Sequence, residues 1–169
     1  MQKAVFGIAN ELQADEILNQ LKLAGFSSND VSVLVPSGTR DLAHEAHTKA
    51  PEGATAGAGT GGVLGGAIGW LAGIGALAIP GLGPFIAAGP IMAALGGAAV
   101  GAAVGGVTGA LVGMGIPEYE AKLYEDKVRE GNILISVHTE NGDERRRARE
   151  IFERAGAQHV SDTSEARAA

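Results

Sequence analysis

Residues 53–117 contain no Asp, Glu, Lys or Arg, and this 65-residue uncharged stretch constrains the fold more than any other feature of the sequence. All 13 Lys and Arg and all 19 Asp and Glu lie in the flanks, whereas 21 of the 27 glycines lie inside the stretch. The chain is therefore made of two materials: flanks of ordinary soluble composition and an uncharged, glycine-rich segment inserted between them.

The glycines of that segment have a register. Gly57, Gly61, Gly65, Gly69 and Gly73 are spaced four apart, as are Gly97, Gly101, Gly105, Gly109 and Gly113, and the run Pro80-Gly81-Leu82-Gly83-Pro84 lies between the two sets. Residues four apart share a helix face, so each set describes a groove along which another helix backbone approaches closely. This predicts a glycine-zipper helical hairpin, with the ten glycines as helix-packing and oligomerisation positions and Pro80, Gly81, Gly83 and Pro84 as its turn. A glycine in an exposed helix interior costs roughly 1 kcal/mol relative to alanine, so ten of them would weaken an isolated hairpin by ~10 kcal/mol. Lipid or close protein packing must offset that cost.

Length favours lipid. Residues 55–79 and 91–115 would each span ~37 Å as helices at ~1.5 Å per residue, against a hydrocarbon core of ~30 Å. The expectation is two membrane-spanning helices that self-associate, with membrane lipid and further copies of the chain as partners. Lys49, Lys122, Lys127 and Arg129 flank the segment on one side, which points to a cytoplasmic location for the flanks. Trp70 falls in the middle of the first arm rather than at an interface, which counts against simple spanning. The alternative is a cytoplasmic homo-oligomer whose hairpins bury one another in a protein core.

The flanks read as two halves of one domain. Residues 3–9 suit a strand, and Asn10 and Gln13 have capping-box spacing. Ala14, Ile17, Leu18 and Leu21 then recur at i, i+3, i+4 and i+7, Gly25 ends the helix, and residues 31–35 form a second strand. After the insertion, Pro117 opens a helix to about Arg129, Gly131 closes it, and residues 132–138 suit a strand. Asp143 is placed to cap a last helix with Ala148, Ile151, Phe152 and Ala155 on one face, followed by Gly156 and a strand over 158–162. The predicted fold is α+β: a ferredoxin-like four-stranded antiparallel sheet with two helices on one face, interrupted by the long hairpin. The boundaries are 1–52 for the first half, 53–117 for the hairpin and 118–169 for a helix and the second half.

Several chemistries are disfavoured. A net charge of −6 argues against general nucleic-acid binding, and the absence of cysteine excludes disulfides and thiolate sites. The N-terminus, with one lysine, a short apolar run and early acids, does not resemble a cleaved export signal. Gly57, Gly59 and Gly62 match a dinucleotide fingerprint formally, but no strand leads directly into them. His44 and His47 lack a metal-binding pattern around them, and Arg145, Arg146, Arg147 and Arg149 are interleaved with acids at ion-pair spacing, which suits a solvated helix better than a lipid-headgroup site. The expectation is a non-enzymatic chain with no catalytic, metal or cofactor-binding residue, no nucleic-acid partner and no identified small-molecule substrate. A small-ligand sensor that uses the sheet face, with the hairpin as output, is a further alternative.

The runs Val5-Phe6-Gly7-Ile8, Ala14-Asp15-Glu16-Ile17-Leu18, Leu21-Lys22-Leu23-Ala24-Gly25-Phe26-Ser27 and Asp30-Val31-Ser32-Val33 resemble the opening of the bacterial heat-induced stress protein YflT, or general-stress-protein-like, domain. Ile79-Pro80-Gly81-Leu82-Gly83-Pro84 and residues 113–120 resemble bacterial proteins in which such a domain carries a glycine-zipper hairpin. The resemblance implies a bacterial, stress-associated protein, at the inner membrane if the hairpin is inserted, and supplies no catalytic residue.

Overall fold

The computed structural model describes residues 3–36, 69–71, 75–79, 83–91 and 107–162. The first flank forms β1 (Lys3–Ala9), α1 (Glu11–Leu23) and β2 (Val31–Pro36). The uncharged segment contributes β3 (Gly75–Ile79), β4 (Gly83–Ala88) and α2 (Val107–Gly113). The second flank forms α3 (Glu118–Arg129), β5 (Ile133–Thr139), α4 (Gly142–Arg154) and β6 (Gln158–Asp162).

The six strands form one sheet in the order β3-β4-β2-β5-β1-β6, with every neighbouring pair antiparallel. At its centre β1 runs against β5 from Lys3↔Thr139 to Ala9↔Ile133. The two halves of the chain thus meet in the middle of the sheet, as the β-α-β reading of each flank requires.

Local signals account for the helices. Asn10 Oδ1 accepts from the Gln13 amide at 2.9 Å and Gln13 Oε1 accepts from the Asn10 amide at 3.0 Å, which completes the expected capping box. Gln13 Nε2 also donates to the Gly156 carbonyl at 3.1 Å, so the start of α1 is tied to the end of α4. Ala14, Ile17, Leu18 and Leu21 are all buried, as their spacing predicts. At α4 the cap falls two residues earlier than expected: Asn141 Oδ1, rather than Asp143, accepts from the Glu144 amide at 2.9 Å. An Asn and an Asp both suit this position, and Asn141 has the extended backbone that a cap needs.

The sheet is covered on both faces. Val5, Val33, Val35, Ile135 and Val137 pack with Ile17, Leu18, Leu21 and Phe152 of α1 and α4. The alternate positions Ala4, Phe6, Ile8, Leu34 and Leu134 pack with Val107 and Leu111 of α2 and Ala121, Tyr124 and Val128 of α3. The expected arrangement has two helices on one face of the sheet and assigns no helix to the other. The second layer is explained by the strands themselves, since β2 is buried at every position and β1 and β5 at nearly every one, a pattern that needs cover on two sides.

The largest departure concerns the insertion. Residues 75–79 and 83–88 are strands, so the first predicted arm does not end as a helix and the predicted turn lies within a β-hairpin, whereas residues 107–113 of the second arm are helical and residues 92–106 lie outside the described residues. A short apolar run without charge carries no period that separates a buried strand from a helix, and the glycine register on either side of these residues favours helix.

Candidate functional site

The features that set this chain apart lie where the uncharged segment joins the sheet. β3 and β4 form a hairpin with Ile79 opposite Gly83 and Ala78 opposite Pro84. Gly83 and Pro84, predicted as parts of a helical turn, are therefore strand residues, while Pro80 and Gly81 lie outside the described residues. β4 then extends the sheet along β2, from Val33↔Ala88 to Pro36↔Phe85. Phe85 and Ala87 enter the core beneath α2 and α3, and Ala88 enters the opposite core.

Just past β4 the backbone makes its closest approach to the sheet. Gly89 has φ +79, and a Cβ there would overlap the Val31 carbonyl oxygen. Only glycine satisfies both requirements. Two residues on, the Ile91 amide donates to the buried Ser32 Oγ at 3.2 Å, and Ile91 joins the α2/α3 core. The incoming side of the segment is anchored as well: Leu71 is buried and Trp70 packs against the α1/α4 core, which accounts for a tryptophan in the middle of the supposed first arm.

α2 brings the segment back. Val107, Ala110 and Leu111 are buried, and Thr108 Oγ1 donates to Glu125 Oε2 at 2.7 Å, clamping α2 to α3. At 100° per residue, Gly109 and Gly113 share the side of α2 opposite those buried residues. A Cβ at Gly113 or at Gly69 would have no neighbour within 4 Å. The structure thus brings no described element onto these two positions. Gly57, Gly61, Gly65, Gly73, Gly97, Gly101 and Gly105 lie outside the described residues, as do His44 and His47.

These anchors bear on the predicted spans. Ile91, Val107 and Leu111 belong to one core, so residues near both ends of the second predicted arm are held on the same face of the sheet. Among the described residues no helix is long and apolar enough to cross a membrane.

At the far side of the sheet, β6 carries an irregularity. Its register with β1 shifts between Phe6↔Ser161 and Ile8↔Gln158, and His159 takes φ +54 at the shift. The Tyr124 hydroxyl lies 2.5 Å from the His159 carbonyl oxygen, to which it donates, and 2.6 Å from Ser161 Oγ, while its ring stacks on Phe6 at 6.2 Å. Burial pushes the Tyr124 phenol well above its ordinary pKa of 10.0, with the Ser161 hydrogen bond acting against that shift. On the opposite face Asp162, buried, receives Arg149 Nη1 at 3.5 Å and Arg145 Nε at 3.8 Å.

The arginine cluster of α4 is engaged in the way its spacing suggested. Arg146 pairs with Asp143 at 2.8 Å, Arg149 with Glu153 at 3.0 Å and Arg154 with Glu150 at 3.9 Å, and Arg147 lies over the Phe26 ring at 5.5 Å. Two buried polar atoms on β5, Ser136 Oγ and His138 Nδ1, have no hydrogen-bond partner among the described residues. Among the described residues no three His, Asp or Glu side chains converge on a possible metal position. Comparison with protein-family models, with curated proteins and with solved structures finds no match to this chain. The likeness to the stress-protein domain therefore rests on the quoted residues alone.

Proposed function

We propose that this chain is a non-enzymatic self-assembling protein: a ferredoxin-like domain whose uncharged, glycine-rich insertion joins copies of the chain through a protein core. The order β2-β5-β1-β6, with α1 and α4 as crossovers on one face, supports the ferredoxin-like reading, and β3, β4, α2 and α3 are additions to it. The association with bacterial stress follows from the sequence resemblance.

One observation carries the choice of a protein core over a lipid one. The uncharged segment is stitched into the domain at Leu71, at β4, at Ile91 and at α2, and residues 75–79, the end of the first expected span, are a strand of the sheet. Glycines that face outward, as Gly69 and Gly113 do, then have their use in contacts between chains.

The test is fractionation followed by light scattering. Expressed without detergent, the protein should stay in the soluble pool as a particle of several chains, and Gly65→Leu with Gly105→Leu should reduce its mass while circular dichroism shows the domain still folded. Retention in alkaline-washed membranes would instead favour the inserted hairpin.

A further inference from the structure

The two edges of the sheet are built differently. Edge strands expose a row of backbone N–H and C=O groups, and proteins guard them with charge, proline or a bulge. The β6 edge has such guards: a register shift, a left-handed residue at His159, and the charged Asp162. β3 has none of them. Its sequence, GALAI, contains no charge and no proline, its pairing with β4 is regular from Gly75↔Ala87 to Ile79↔Gly83, and it is the outermost strand on that side among the described residues. The nearest charged residues in sequence are Glu52 and Glu118, so no acid or base on the same segment flanks the edge.

We infer that β3 is a self-pairing edge, and that its partner is β3 of a second copy of this chain, aligned antiparallel about a two-fold axis. This rests on the self-assembly reading and names the contact. The occupant follows from the strand itself. A two-fold contact must be self-complementary, and an uncharged five-residue strand meets its own copy without any like-charge pair. Centring the axis on Leu77 pairs all five residues, with Gly75 opposite Ile79 and Ala76 opposite Ala78; any other centre leaves edge groups unpaired. The result is one continuous sheet across two chains, with the guarded β6 edges at its ends. That closure gives a dimer rather than an open fibre, and the outward glycines of α2 remain free for contacts between dimers.

The experiment uses the full chain and a backbone probe. In an antiparallel strand, alternate residues direct their N–H groups inward and outward. Of Ala76→Pro and Leu77→Pro, one removes an N–H from the β3/β4 ladder and the other an outward N–H. Because the chain has no cysteine, Leu77→Cys adds a single thiol at the proposed axis, where facing Cα atoms ~4.5–5.5 Å apart permit a disulfide. The expected results are a disulfide-linked dimer from Leu77→Cys under mild oxidation, with at least tenfold less from a cysteine at Leu12 on the surface of α1, and a dimer at least tenfold weaker in one of the two proline variants with hydrogen exchange at β1 and β5 unchanged. Assemblies that survive both proline variants, give no Leu77→Cys dimer and dissociate on Gly65→Leu with Gly105→Leu would overturn the edge contact and leave self-assembly standing. A wild-type chain that is monomeric at every concentration would overturn both.

Discussion

The Tyr124 hydroxyl reaches across the sheet edge to the carbonyl oxygen of His159, 2.5 Å away, at the point where β6 loses register with β1. The bulge gives the buried phenol an acceptor, and the phenol in turn ties α3 to the carbonyl at the irregularity.

Tyr124→Phe should therefore lower stability by about 1–3 kcal/mol in urea titrations at pH 7, the cost of leaving the His159 carbonyl and Ser161 Oγ without their donor or acceptor. A loss within error of zero would mean that the bulge holds its shape without the hydroxyl.

The same group sets an alkaline limit. Its folded pKa is raised above the unfolded value near 10.0, so the native state keeps a proton that the unfolded chain releases. The contribution is whole below pH 10 and is lost as pH rises beyond it. Wild-type stability should fall above pH 10 more steeply than that of Tyr124→Phe, and absorbance at 295 nm should show this phenol ionising together with unfolding.

Gly89→Ala should cost about 2 kcal/mol or more, because the left-handed backbone and the overlap with the Val31 carbonyl oppose a methyl group together. Hydrogen exchange is the sharper readout: amides of β4 should lose protection more than those of β1 and β5, since Gly89 holds the added hairpin against β2.

At Gly113 the expected sign is reversed. Open space around the missing Cβ and ordinary helical φ predict that Gly113→Ala raises stability by ~0.5–1 kcal/mol. Gly113→Leu should leave the domain folded but reduce the mass of the assembly in light scattering. A Leu variant that assembles normally would remove this end of the glycine register from the contact.

Ser136→Ala should be neutral or stabilising by up to about 1 kcal/mol, because the hydroxyl is buried without a partner and its removal discards a desolvated polar group. A loss above 1 kcal/mol would reveal a hydrogen bond there, to water or to a bound molecule.

The parts of this fold that could be read in the sequence are those where two local signals agree. Asn10 with Gln13, the apolar spacing of Ala14, Ile17, Leu18 and Leu21, and the stop at Gly25 all specify one helix, and the same holds from Ala148 to Gly156. β3 and β4 were hidden because glycine and alanine are weak strand formers and their neighbours offer no polar alternation. A signal was nevertheless present: the fourfold register stops at Gly73 and resumes at Gly97, and both strands fall in that gap. The second helical layer was foreshadowed by the unbroken apolar runs of β2 and β5, which an open-faced sheet does not need. The outward aim of Gly113 had no sequence signal, since the spacing of glycines fixes which residues share a face but not what that face meets.

The pairing of β1 with β5 also sets an order of events during synthesis. Lys3 is opposite Thr139, so the N-terminal strand waits for a partner encoded near the other end of the chain. About a hundred residues separate β2 from β5, and at ~5–20 residues per second the ribosome takes about 5–20 s to make them. Throughout that interval β1, α1 and β2 have no central strand. The uncharged segment leaves the exit tunnel before the sheet that anchors it exists, and the nascent chain is then at its most exposed to other chains and to chaperones.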